Sequence, residues 1–176
     1  MTRFTVLVAA NDAHSSVRDA AVLAAETIAA HSVDDPGTTG PSTVIDLAEL
    51  GPALLAARPG SDVADALARV AETDVLLVAT PQAHGSYTGL LKVFLDRLPE
   101  LGLGQAVAVP MAVVADLRTG RNTEDDLRVL LSDLGAWVVE PGLMLSESEL
   151  AEPRSVIEAW ADVAAQSLVQ ALAVSA

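Results

Sequence analysis

Ser15 and Ser16 open a helical pattern just after the apolar run "FTVLVAA" at residues 4–10. Hydroxyls beside the unpaired amides of a helix N-terminus are groups that hold a phosphate. A second polar join, "TPQAHGSYT" at residues 80–88, follows the apolar run "VLLVA" at residues 75–79. It offers bare backbone amides and small side chains where a buried strand has just ended. The chain has no Cys, which excludes disulfides, thiolate metal sites and cysteine nucleophiles. No acid or base side chain stands out as a reacting group, so the chemistry on offer is that of binding.

The joins are positioned by a regular alternation of strands and helices. Apolar strands are expected at residues 4–10, 43–47, 75–79, 106–114 and 136–145, the last interrupted at Pro141. Pro110 is awkward inside a central strand, because it has no amide to donate to a ladder. Helices are expected at 15–31, at 61–73 with Ser61 as N-cap, from the end of the second join to about Leu98, from Thr123 to Gly135, and from Pro153 onward. Residues 32–42 read as a turn-rich loop, and 50–60 as a loop with one helical turn. Five apolar strands alternating with helices make one α/β domain with a doubly wound parallel sheet of flavodoxin-like order 2-1-3-4-5. That order puts both polar joins beside one crevice at the carboxyl edge of the sheet, where open α/β folds bind ligands.

Composition bounds the rest. The chain has 176 residues, 51% hydrophobic and only 3% aromatic, so its core must be packed from Ala, Val and Leu. Its formal net charge of −14 argues against nucleic acid, whose phosphates need a basic face. No apolar stretch is long enough to span a membrane and none resembles a signal peptide, so a cytoplasmic location is expected. The acidic pairs, "EDD" at 124–126 among them, read as helix-start charges and not as metal ligands, since no His accompanies them. Lys92 and Asp96 are spaced for a surface ion pair. Trp137 and Trp160 are expected in the core or at an interface.

The segment "TPQAHGSYTGLLKVFLDRLP" resembles the flavin-contacting segment of the NADPH-dependent FMN reductases, T-P-x-Y-x-x-x-x-G-x-L-K with an acidic residue four after the Lys. Thr80, Pro81, Gly89, Leu91, Lys92 and Asp96 carry the match. The "GSYTG" within it is similar to the reductase components of two-component alkanesulfonate monooxygenases. The resemblance implies a flavodoxin-like fold, FMN as cofactor, and NADPH or NADH as hydride donor. It implies that Asn11, Ser15 or Ser16, and Arg18 surround the FMN phosphate, and that the backbone at Pro81, Gln82, Ala83, His84, Gly85, Ser86 and Tyr87 lines the isoalloxazine. It also implies a homodimer or homotetramer, formed through the helices after Tyr87 and Thr123, and a flavin-dependent monooxygenase as possible recipient of the reduced flavin.

Three features depart from the family pattern. Asp12 and Asp19 flank the phosphate loop; unit charges ~8 Å apart at an effective dielectric of ~20 repel by ~2 kcal/mol. The Thr-Gly-Gly that often follows the fourth strand is replaced by Val113, Val114, Ala115 and Asp116, whose side chains would crowd the ring. Gln82 and Ala83 stand where a Tyr is usual. Two rivals therefore remain: a tight-FMN reductase of quinones or azo dyes, and a flavin-free partner subunit that kept the fold. Single residues have double readings as well. His84 could touch the ring edge or face solvent, and His14 could support a phosphate or make a local contact by Asp12. Tyr87 could sit at a subunit contact or pack beneath its loop, and Arg118 and Arg121 could meet a nucleotide phosphate or be surface charge.

Overall fold

The computed structural model describes residues 2–31 and 42–175. The turn-rich loop expected at 32–42 lies almost wholly outside them. Strands β1 (Phe4–Val8), β2 (Thr43–Asp46), β3 (Val75–Pro81), β4 (Val107–Val114), β5 (Trp137–Val138) and β6 (Leu143–Ser146) form one parallel sheet. Its order is β2-β1-β3-β4-β5, with β6 also paired to β4. The flavodoxin-like order is as expected. The helices are α1 (Ser16–His31), α2 (Leu47–Leu50), α3 (Ser61–Ala71), α4 (Gly89–Leu95), α5 (Arg121–Asp133) and α6 (Arg154–Ser175).

Side chains alternate along each strand, so neighbouring residues feed different layers. Phe4, Val6 and Val8 of β1 pack with Ala20, Ala21, Ala24 and Ala25 of α1 and with Ile157 and Leu168 of α6. Leu7 faces the other way, toward Val63, Val70, Phe94, Leu127 and Leu131 from α3, α4 and α5. The small residues of α1 compensate for the scarcity of aromatics, since a stripe of Ala lets the helix lie close to the sheet.

Several local expectations are corrected. The helix expected from Thr123 begins at Arg121, and Gly60, not Ser61, is the N-cap of α3. The single helical turn expected within 50–60 is the 3-10 turn at Gly51–Leu55, and the short helix α2 just before it was not expected. Trp137 is 54% exposed, so it is not a core residue of this chain, whereas Trp160 is half-buried and donates to the Pro141 carbonyl at 2.8 Å. The end of α5 follows its sequence: Gly135 has φ 91°, its amide reaches the Ser132 carbonyl at 2.9 Å, and the Ala136 amide reaches Leu131 at 3.1 Å. This is the Schellman closure that a left-handed glycine permits.

The strand expected at 136–145 is two strands, and the split explains why Pro110 is tolerated. Odd-numbered residues of β4 bond toward β3, as Val107 does to the Asp74 carbonyl (2.9 Å). Even-numbered ones bond toward β5, where the Ala108 carbonyl accepts from Val139 at 2.9 Å. The missing amide of Pro110 therefore faces the gap between β5, paired at Val107 and Ala108, and β6, paired from Met111. No ladder bond is lost there.

At the opposite edge, Asp74 accepts from the Arg3 amide (2.7 Å), Nη2 (3.0 Å) and Nε (3.3 Å), joining the starts of β1 and β3. The Arg3 guanidinium bond holds the Asp74 carboxyl below its ordinary range. A lowered folded pKa means the stabilisation is present above the unfolded value and is lost as pH falls through the folded one. The stability difference between wild type and Asp74→Asn should thus be constant near neutrality and shrink below about pH 4. Denaturant melts at a series of pH values check this; a difference that grows in acid contradicts it.

Candidate functional site

The crevice lies between the joins that follow β1 and β3. Thr88 ties them together. Its hydroxyl donates to the Ala9 carbonyl at the end of β1 (2.9 Å) and accepts from the Leu91 amide (3.3 Å), capping α4. Its own amide donates to Thr80 Oγ1 at 3.1 Å. Both threonines are buried. These links place two segments some seventy residues apart in sequence along one wall.

In the second join, the Ala83 amide donates to the Ser86 carbonyl (2.8 Å) and the Ser86 amide to the Ala83 carbonyl (3.1 Å). Between them His84 and Gly85 have φ 50° and 87°. Two positive φ values in a two-residue connection define a type I′ turn, which suits Gly and tolerates His. The Gln82 amide is held by the Val113 carbonyl at 2.7 Å, and Ser86 Oγ donates to Asp126 of α5 at 2.6 Å. The Gln82 amide is thus spent on β4, and those of Ala83 and Ser86 on the loop's own shape. The amides of His84, Gly85 and Tyr87 have no partner among the described hydrogen bonds. His84 is exposed, and Tyr87 is half-buried against the core layer under the loop.

The first join is organised by Asp46, at the end of β2. Its carboxylate accepts from the Ala48 amide (3.1 Å), capping α2, and from the His14 amide (3.1 Å), holding His14 at φ 56°. The side chain of Asp46 is 1% exposed, and Oδ2 lies 3.9 Å from Arg18 Nε. That Nε is buried and has no hydrogen bond. Arg18 Nη1 is 3.9 Å from Asp19, and His14 Nε2 is 3.4 Å from Glu49. Ser15 Oγ accepts from the Arg18 amide at 3.4 Å, so Ser15 is the cap of α1. Asn11 and Ser16 are exposed, with no side-chain partner among the described hydrogen bonds. The first-turn amides beside Ser16 have no intrahelical acceptor.

After β4, Val113 and Val114 belong to the strand itself and are buried. Ala115 and Asp116 are the exposed residues there. Asp116 folds the loop inward, accepting from Arg118 (2.7 Å) and Thr119 (3.3 Å) amides, while its carbonyl accepts from Gly120 (2.8 Å).

With this geometry the sequence comparison is decisive. The family model for NADPH-dependent FMN reductase matches residues 2–149. The chain belongs to the NADPH-dependent FMN reductase family. An FMN reductase (NADPH) of Pseudomonas putida is 33% identical over 82 residues, which are 47% of this chain and 42% of that protein. The aligned part is thus less than half the length of that curated relative. An oxidoreductase structure from Corynebacterium diphtheriae superposes with a TM-score of 0.79 at 27% identity, covering 96% of this chain and 98% of that one. The apo form of an NADH:FMN oxidoreductase superposes at 0.75 with 23% identity over 93% of this chain and 90% of that one, a likeness of fold.

Within the family pattern, Lys92 pairs with Asp96 as the spacing suggests, and that bond raises the Lys92 pKa. A hollow of about 710 Å³ lies between α5 and the β5–β6 break. Within it Arg128 bonds Asp125 (2.6 Å) and Glu140, while burial raises the Glu124 carboxyl above its ordinary range against the pull of Arg128. Sequence reasoning missed Asp46, Thr88 and Asp126 as organisers of the crevice. Asp46 had a readable signal, a carboxylate directly ahead of a short helix. Thr88 had half of one, a Thr ahead of an amphipathic helix, but its bond to Ala9 and the bond of Asp126 to Ser86 join residues distant in sequence.

Proposed function

We propose that this chain passes hydride from NADPH or NADH to FMN, which binds in the crevice between the two joins. The observation that carries the reading is the pairing of the family match with the turn at His84 and Gly85, whose free amides, with that of Tyr87, are donors for the polar edge of a flat ring. Asn11, Ser16 and the first-turn amides of α1 stand at the phosphate end. Bound flavin supplies the redox chemistry, and the protein contributes position and electrostatics. The amides at 84, 85 and 87 stabilise negative charge that develops on the ring edge. No side chain has to move a proton for this. Thr88 keeps the two ends of the site at a set separation.

FMN is proposed to act as a substrate that leaves after reduction, in the cytoplasm, with a flavin-dependent monooxygenase as the recipient. The carboxylates around Arg18 support release over retention. They also favour the second reading, a flavin-free partner subunit. Steady-state oxidation of NADPH and NADH with added FMN separates them: turnover that saturates in FMN supports the reductase, and no FMN-dependent oxidation leaves the partner subunit. A tight-FMN enzyme would instead be purified yellow and reduce added flavin poorly. The chain is further proposed to form a homodimer or homotetramer through α4 and α5, supported by Val129 on α5, which is 59% exposed. Sedimentation at micromolar concentration should show a species heavier than 18.1 kDa; a lone monomer is the contrary result.

A further inference from the structure

We infer that this site recognises the flavin ring and not its phosphate, so that riboflavin is bound about as well as FMN. The inference rests on the flavin reading above and concerns the first join only. Around α1's N-terminus, Arg18, His14 and Ser15, which would greet a phosphate alongside Asn11 and Ser16, are turned toward carboxylates of this chain or used in the fold. The Arg18 guanidinium has Asp46 at 3.9 Å from Nε and Asp19 at 3.9 Å from Nη1. The His14 amide donates to Asp46 at 3.1 Å, and its imidazole lies 3.4 Å from Glu49. The Ser15 hydroxyl oxygen is engaged by the Arg18 amide.

Exposure decides which of these carboxylates matters. Asp19 and Glu49 have side chains 75% and 50% exposed, and Asp12 is exposed too, so water and salt screen them. Asp46 is 1% exposed and its field is screened least. It lies beneath the loop and draws on the one arginine of the join. A phosphate there gains Asn11, Ser16 and the helix amides, but it meets a buried negative charge and an arginine already neutralised. The buried carboxylate offsets what those donors contribute, which leaves the ring to set the affinity. The turn at His84 and Gly85 makes no such distinction between flavins, because both carry the same ring.

The test is equilibrium titration of the full chain with FMN and with riboflavin, followed by flavin fluorescence. The expected dissociation constants agree within about threefold, and inorganic phosphate at tens of millimolar competes with neither. FMN bound tenfold or more tightly than riboflavin overturns the inference, as does competition by phosphate against FMN alone. Asp46→Asn should shift the ratio of the two affinities about five- to tenfold toward FMN, and the exposed Asp12→Asn by less. Using the ratio removes any loosening of the loop, which weakens both ligands alike. A ratio unmoved by Asp46→Asn overturns the assignment to Asp46. If neither flavin binds, the flavin reading itself falls, an outcome distinct from tight, phosphate-dependent FMN binding.

Discussion

Thr88→Val should melt about 5–15 °C below the wild-type protein, although it replaces one β-branched side chain by another of nearly the same shape. The substitution removes a buried hydroxyl with two duties. Its proton satisfies the Ala9 carbonyl, and its oxygen caps α4 through the Leu91 amide. A lost N-cap costs about 1 kcal/mol, and a buried carbonyl left without a partner costs about 1–3 kcal/mol more. Thr88→Ser keeps both bonds and should lose far less. The same change should weaken FMN and riboflavin by equal factors, since it alters the spacing of the two joins and not the chemistry of either. Calorimetry and flavin titration on the two variants check this. A Thr88→Val protein that melts within a degree of wild type would mean that Thr88 does not hold the crevice together.

Gly120→Ala is expected to destabilise the protein by about 2–4 kcal/mol, and the cause is space alone. Gly120 precedes α5 with φ −83°, a conformation that any residue adopts. A Cβ built there falls 2.4 Å from Val114 Cβ and 2.5 Å from both its γ carbons. Val114 ends β4 and is fully buried, so it has nowhere to move. Gly60 supplies the control, because it also immediately precedes a helix and an added Cβ meets nothing within 4 Å. Gly60→Ala should therefore stay within about 1 kcal/mol of wild type. Denaturant unfolding of the two variants decides the matter. Equal losses would show that the change of N-cap residue, and not the clash with Val114, governs stability at position 120.

Much of the fold was legible because its signals are local. The run at Val75–Pro81 is apolar nearly throughout, as a strand covered on both faces must be, and Gly135 closes α5 through bonds to residues within five positions. The start of α5 was less legible. Residues 118–122 are polar whether helical or not, and the helix begins at Arg121 because Asp116 winds the preceding loop tightly. Pro110 looked like a fault in a central strand. It is accommodated by an interruption in a different strand, roughly thirty residues later, which no window around Pro110 contains.

The site divides along the same line. By itself the sequence determined that two polar joins end two buried strands, that one carries "TPQAHGSYTG" ahead of an amphipathic helix, and that the other starts a helix with serines. These follow from residue type and spacing, while the family rests on the resemblance and the match to the family model. Only the tertiary structure decided which groups are free to bind. It spent the Gln82 amide on β4 and those of Ala83 and Ser86 on the loop itself, and left those of His84, Gly85 and Tyr87. It brought a carboxylate from the end of β2 beneath the join after β1, where Asp46 meets the His14 amide and Arg18. The physical reason is that a hydrogen bond or a charge acts through a few ångströms of space, and parallel sheet pairing makes neighbours of residues that lie dozens of positions apart in the chain.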